Sequence, residues 1–257
     1  MALIEPRITA AICARTWTKI ARRPVILVFS LVQPLMWMIF FGFLFHRYDV
    51  QDLGSHARYL DFLLPGVCVM TVLFGSSQAG TALIRDVQTG FLRRILLTSA
   101  SPASVLAGKI LADVIRLLAQ AVVVGAMGCL MGARLNAGLS PVLTAIALLT
   151  LFAVGYASLS CWIALKTRSQ ETMGVFIQAV NMPLLFTSTV LVPHRHMPAW
   201  LASLAAWNPI SLVADTLRFA LLGMGTGASP FRLAGAGAAG LILFALCVRE
   251  MGKARRT

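Results

Sequence analysis

Val25–Phe45 is a stretch of twenty-one residues without one charged side chain. About 20 apolar residues in a helix cross the roughly 30 Å hydrocarbon layer of a bilayer. The pattern recurs, and six spans are expected, at about 25–45, 62–83, 110–132, 141–165, 173–192 and 233–248. The rest of the composition agrees. The chain is 58% hydrophobic and only 12% charged, against about 25% charged in soluble domains. In water there would be too little polar surface to cover the apolar mass, which excludes an ordinary soluble enzyme. Ala-, Leu- and Gly-rich runs point to helices, since a β-barrel would show alternating strands of about ten residues. The expected fold is therefore all-α: one polytopic transmembrane domain over residues 1–257, with six transmembrane helices.

A formal charge of +13 would suggest nucleic acid in a soluble protein. Here it has another source, because basic residues collect on cytoplasmic loops. Arg7, Arg15, Lys19, Arg22 and Arg23 precede span one. Arg85, Arg93, Arg94 and Lys109 lie between spans two and three, Lys166 and Arg168 between four and five. Arg249, Lys253, Arg255 and Arg256 end the chain. That side holds fifteen basic residues against six on the other: Arg47, Arg58, Arg134, Arg195, Arg218 and Arg232. Both termini are expected in the cytoplasm, without nucleic acid as a partner. Residues 4–23 read as an interfacial helix drawn to anionic lipid, ending near Pro24. No cleavable signal sequence is expected, since the first apolar run is too long for one.

Two segments are not simple spans. In residues 84–104, Gly90 precedes a short amphipathic helix that can lay Phe91, Ile95 and Leu96 on the membrane and turn Arg93 and Arg94 to water. Thr98–Ser104 breaks that helix, and Pro102 suits the start of the next. Such a transverse helix can carry the push of a cytoplasmic partner into two spans, or simply be a basic interfacial loop. Residues 194–232 are apolar but interrupted by Pro198, Asn208-Pro209 and Gly223, Gly225 and Gly227. Pro209 forces Asn208 out of helical geometry. The result is two pieces too short to cross, either a broken, re-entrant outer hairpin or an amphipathic outer loop.

Ionisable residues at membrane depth are expensive and mark candidate sites. Asp113/Arg116 and Asp215/Arg218 share the i, i+3 spacing of a helical ion pair. Each reads as a gate or substrate-path contact, or as a locally neutralised pair. Asn208 is grouped with them. Glu171 reads as an interfacial cap.

Other motifs carry less. Gly235-x-Gly237-x-x-Gly240 has the dinucleotide-binding spacing but lies in an apolar span, where small residues permit close helix packing. Gly128-x-x-x-Gly132 reads the same way. His194-x-His196 lacks a third ligand, so no metal site is expected. Cys13, Cys68, Cys129, Cys161 and Cys247 show no C-x-x-C spacing and read as packing residues. No Ser/His/Asp or paired-carboxylate set suggests catalysis.

DVQTGFLRRILLTSASPASVLAGKILAD, residues 86–113, resembles the second-to-third-span region of ABC type-2 export permeases, particularly those of daunorubicin-resistance type. NPISLVADTLRFALLG, residues 208–223, is similar to their Asn-Pro…Asp-x-x-Arg…Gly signature before the last span. A departure is Ser99-Ala100-Ser101-Pro102, where relatives place a Pro directly after the Thr and an Arg soon after. The resemblance covers essentially the whole chain and implies a half-transporter in a bacterial plasma (inner) membrane. Two permease chains, as homo- or heterodimer, would work with two copies of a separate ATPase subunit and export an amphipathic drug, lipid or secondary metabolite. ATP and Mg would sit on that subunit, and no cofactor is expected on this chain, which lacks a G-x-x-x-x-G-K-[ST] loop: Ile110 follows Gly108-Lys109, and Ala254 follows Gly252-Lys253. The helix near Asp86–Leu97 would be the coupling helix. Asp86, Gly90, Arg93 and Arg94 would meet the ATPase, with Phe91 and Leu92 giving apolar contact. Competing expectations are export of lipid-linked polysaccharide and, in another class, an autonomous proton-coupled transporter or lipid-modifying enzyme.

Overall fold

The computed structural model describes residues 5–22, 24–45, 58–98, 100–135, 138–223 and 230–253. Arg23, Arg47, Ser99, Gly225, Gly227, Ala254, Arg255 and Arg256 lie outside them. The regular elements described are all helical: α1 (Pro6–Ala21), α2 (Pro24–Leu44), α3 (Tyr59–Gln88), α4 (Phe91–Leu96), α5 (Pro102–Leu130), α6 (Leu139–Thr167), α7 (Gln170–Phe186), α8 (Ala199–Trp207), α9 (Pro209–Leu222) and α10 (Pro230–Lys253), with a 3-10 turn at His194–His196.

The centre of the bundle is α3, packed against α2, α5, α6, α7 and α9. Leu63, Val67, Met70, Leu73 and Leu83 are wholly buried along it. The outer helices keep apolar residues exposed, including Phe29, Phe40 and Phe43 of α2 and Leu241 and Ile242 of α10. Exposed apolar surface of that kind suits a bilayer.

Helices α2, α3, α5, α6 and α10 are long and apolar enough to cross a membrane, five among the described residues. The segment expected at 173–192 forms only α7, 17 residues and about 26 Å long at 1.5 Å per residue. Its last turn carries Pro183, and the chain beyond Phe186 folds into buried turns, where Ser188, Thr189 and Val190 pair with other groups instead of extending the helix. In α3 the helix runs past both expected ends. Asp61 is no boundary: its carboxylate is buried and accepts the backbone N–H groups of Arg58 (2.9 Å) and Arg134 (2.7 Å), fastening the start of α3 to the turn after α5.

Small residues set the close approaches. A Cβ on Gly240 would lie 3.2 Å from the Gly155 Cα, so α6 and α10 meet backbone to backbone there. On Gly128 it would strike the Leu64 side chain at 2.6 Å. Both positions have the packing role expected of them.

Contacts at the helix ends sort the charges. Gln170 at the start of α7 donates to Gln88 at the end of α3 (2.5 Å), and Lys166 of α6 pairs with Glu250 of α10 (3.5 Å). The end of α3, the start of α5 and all of α1 join the same end of the bundle. Twelve of the fifteen basic residues assigned to the cytoplasmic side fall within the described elements and gather there.

Candidate functional site

The foot of the bundle is built around Gly90. Its φ of +68° is a left-handed conformation that costs other residues about 1–2 kcal/mol, and it turns the chain from α3 into the six-residue α4. Arg94 reaches back to the Thr89 carbonyl at 3.2 Å and closes the turn. Leu92 and Leu96 of α4 are buried in the core, while Arg93 and Arg94 are exposed. After the break, the Ser101 hydroxyl accepts the Ser104 N–H at 3.2 Å and caps α5.

Helix α1 is strapped across this foot. The Glu5 N–H donates to the Ser104 hydroxyl (2.8 Å), and Gly108 lets α5 approach so closely that a Cβ would fall 2.6 Å from the Thr9 carbonyl oxygen. Further along, the Arg15 guanidinium lies 3.4 Å from the Phe91 ring centroid. Last comes Lys19, whose ammonium meets Asp86 at 3.2 Å. The other oxygen of Asp86 takes Lys109, itself buried. One carboxylate thus joins α1, α3 and α5.

Of the six residues expected to meet a partner, Arg93 and Arg94 present exposed side chains. Gly90 shapes the turn, and Phe91 is half-buried beneath Arg15. Asp86 was expected to meet the ATPase and Leu92 to give it apolar contact; both point inward, Asp86 because two lysines flank it and Leu92 because the bundle provides its apolar surroundings.

In α5, Arg116 lies 3.3 Å from Asp113 and donates to the Gly75 carbonyl (3.2 Å) and the Gln120 side chain (3.4 Å). Gln120 in turn bonds Ser30 of α2 at 2.5 Å. The second pair stands at the opposite end. Arg218 meets Asp215 at 2.8 Å, gives Nε to the Phe62 carbonyl and NH2 to the Val190 carbonyl (both 3.0 Å), and lies over the Phe62 ring at 3.6 Å. Asn208 separates α8 from α9: its carbonyl oxygen accepts the Ile210 N–H (2.9 Å), while its amide donates to the Leu184 carbonyl (2.7 Å) and the Thr187 hydroxyl (3.1 Å). The short pieces on either side are the two expected from Asn208-Pro209.

Sequence reasoning passed over two groups. Lys109 was read only as a loop cation. The other group is a buried polar node, in which the Tyr156 hydroxyl donates to Asn181 (2.5 Å), Asn181 to the Ser77 hydroxyl (2.7 Å), and Ser160 to the Ser77 carbonyl (2.6 Å). The available signal was a polar residue inside each apolar run.

The model of the ABC-2 type transporter family matches residues 8–222, from α1 to the end of α9. The chain belongs to the ABC-2 type transporter family. Among its relatives is a protein of Cyanophora paradoxa named as a transport permease, ycf38, 31% identical over 80% of this chain and 71% of its own. A daunorubicin resistance ABC transporter permease, DrrB1 of Streptomyces coeruleorubidus, is 29% identical over 76% of this chain and 68% of its own. A protein of Mycobacterium tuberculosis named as doxorubicin resistance permease DrrC is 26% identical over 79% and 73%. The resemblance in residues 86–113 and 208–223 therefore belongs to an ABC-2 chain with drug-resistance permeases among its relatives.

Proposed function

We propose that this chain is the membrane permease of an ATP-driven exporter, paired with a second permease chain and two copies of a separate ATPase that holds ATP and Mg. In this reading α7 is the sixth crossing, both termini are cytoplasmic, and the host membrane is a bacterial plasma membrane. Its cargo is an amphipathic drug, lipid or secondary metabolite. Family membership and the relatives named for daunorubicin and doxorubicin resistance support the transport class.

The observation that carries the mechanism is the foot of the bundle. Arg93 and Arg94 project from a short helix whose other face is buried, and the same segment is tied through Asp86 to α1 and α5. A partner that grips the two arginines cannot move α4 alone. Force on it reaches α3 through the Gly90 turn and α5 through the Asp86–Lys109 contact, so closing the ATPase dimer would reorient the spans.

The test is ATPase activity of the tagged chain isolated in mild detergent from its native cells. A co-purifying ATP-hydrolysing subunit is expected. Replacing Arg93 and Arg94 together by Glu should abolish that association while membrane insertion stays intact. An unchanged complex would remove the coupling role from α4.

A further inference from the structure

Helix α5 carries Lys109, Asp113, Arg116 and Gln120 at spacings of four, three and four residues, which sets them along one face. Lys109, Asp113 and Gln120 are buried, and the polar seam continues at both ends into other helices. At the foot, Lys109 crosses to Asp86 of α3, which also holds Lys19 of α1 at 3.2 Å. Further up, Asp113 has Arg116 at 3.3 Å, and Gln120 reaches Ser30 of α2 at 2.5 Å. Three cations thus share two carboxylates, and the sharing is uneven. Among the described residues, Asp86 pairs with two cations and Asp113 with one.

Lys109 stands between the two carboxylates. Residues four apart on a helix have Cβ atoms about 5–6 Å apart, so its flexible stem can span to Asp113 on its own helix as well as to Asp86 across the gap. A buried charge left alone is heavily penalised, which ordinarily pins such a contact in one arrangement. Here neither arrangement leaves one. With Lys109 on Asp86, Arg116 neutralises Asp113. With Lys109 on Asp113, Lys19 still neutralises Asp86, and its half-exposed side chain can follow that carboxylate. Arg116 keeps the Gly75 carbonyl and Gln120 in both.

We infer that Lys109 is an ion-pair switch between α3 and α5. Paired with Asp86, it locks the foot of α3 onto α5. Paired with Asp113, it lets the two helices part there while α1 keeps its hold through Lys19. Lys19 is the positioning residue that makes the exchange possible. The switch belongs to this chain alone and does not rest on the exporter reading. Within that reading, it is where the push carried by the Asp86–Lys109 contact ends, once Lys109 changes partner.

The experiment uses the full chain in lipid nanodiscs with Cys13→Ala and Cys129→Ala, since the other three cysteines are buried. Spin labels are placed at Thr89→Cys, just past the end of α3, and at Leu111→Cys, on the exposed side of α5. Labelled chains are diluted with unlabelled ones, so that only distances within one chain are read. Pulsed electron double resonance should show two distance populations. Lys19→Met should abolish the longer one, because Asp86 then cannot release Lys109, and Lys19→Arg should keep it. Asp113→Asn should also abolish it, by removing the second partner, whereas Asp86→Asn should leave only the longer. Lys19→Met changes a half-exposed residue and leaves the Asp86–Lys109 pair intact, so it tests the lock even if the carboxylate variants fail to fold. A single population in the unsubstituted chain would overturn the inference, and so would two populations that Lys19→Met leaves unchanged. No ATPase is present, so the switch and the exporter reading fail separately.

Discussion

Two Asp-x-x-Arg pairs of identical spacing occupy this chain, and the fold uses them differently. Arg218 is 4% exposed at its side chain, saturated by two carbonyls, a carboxylate and a hydroxyl, and laid on an aromatic ring. It ties α9 to the start of α3 and to the turns after α7. Around Arg116 the bonds are longer, from 3.2 to 3.4 Å, and its partners are Asp113, Gln120 and a carbonyl at Gly75, where no side chain intervenes. Spacing establishes that two charges can pair. What surrounds the pair decides whether it is a rivet or a contact that can be exchanged.

The comparison can be broken most decisively at Arg218. Hydrogen bonds of a charged group are worth about 1.5–3 kcal/mol each, and the buried Arg218 makes four of them, to Asp215, Thr189 and the carbonyls of Phe62 and Val190. Arg218→Leu should therefore lose most folded protein, read as the monodisperse peak of a fluorescent fusion on size-exclusion chromatography. Arg218→Lys should not rescue it, because an ammonium cannot reach a carboxylate and two carbonyls in one plane. A folded, stable Arg218→Leu chain would place both pairs in one class.

A smaller loss is expected at Gly66. A Cβ there would lie 2.7 Å from the Val190 carbonyl oxygen and 3.0 Å from the Arg218 guanidinium. Gly66→Ala should lower stability by about 1–3 kcal/mol, the usual range for overpacking, measured as a drop in the thermal midpoint of the purified chain. The smallest effect on stability belongs to Arg116. Asp113→Asn with Arg116→Gln removes both charges together, leaves no buried charge unpaired and should shift stability by about 1 kcal/mol or less. Its transport rate should nonetheless fall severalfold while ATPase association is kept. Equal losses of folding and transport would make Arg116 a rivet too.

Much of this was legible in the sequence, and the exceptions have physical causes. Hydropathy located the helical runs because a bilayer demands apolar length. It misjudged their ends wherever a charge was satisfied inside the protein, as at Asp61, Asp86 and Lys109. The break at Asn208-Pro209 was readable because proline acts locally. In contrast, the short α7 depends on what Thr189 and Val190 meet across the fold, which no window of neighbours contains. At the candidate site, Arg93 and Arg94 faced outward as their helix spacing suggested.

The α1 strap also carries a consequence for how the chain is made. Glu5, Ile12 and Lys19 emerge long before Ser104, Gly108 and Asp86, the residues that receive them. At 5–20 residues per second, Lys109 follows Lys19 by roughly 5–20 s. Until then the young helix has no berth within its own protein, and only the bilayer surface can hold it. The strap therefore closes by docking, in which the oldest helix settles over the first-made turns of α5.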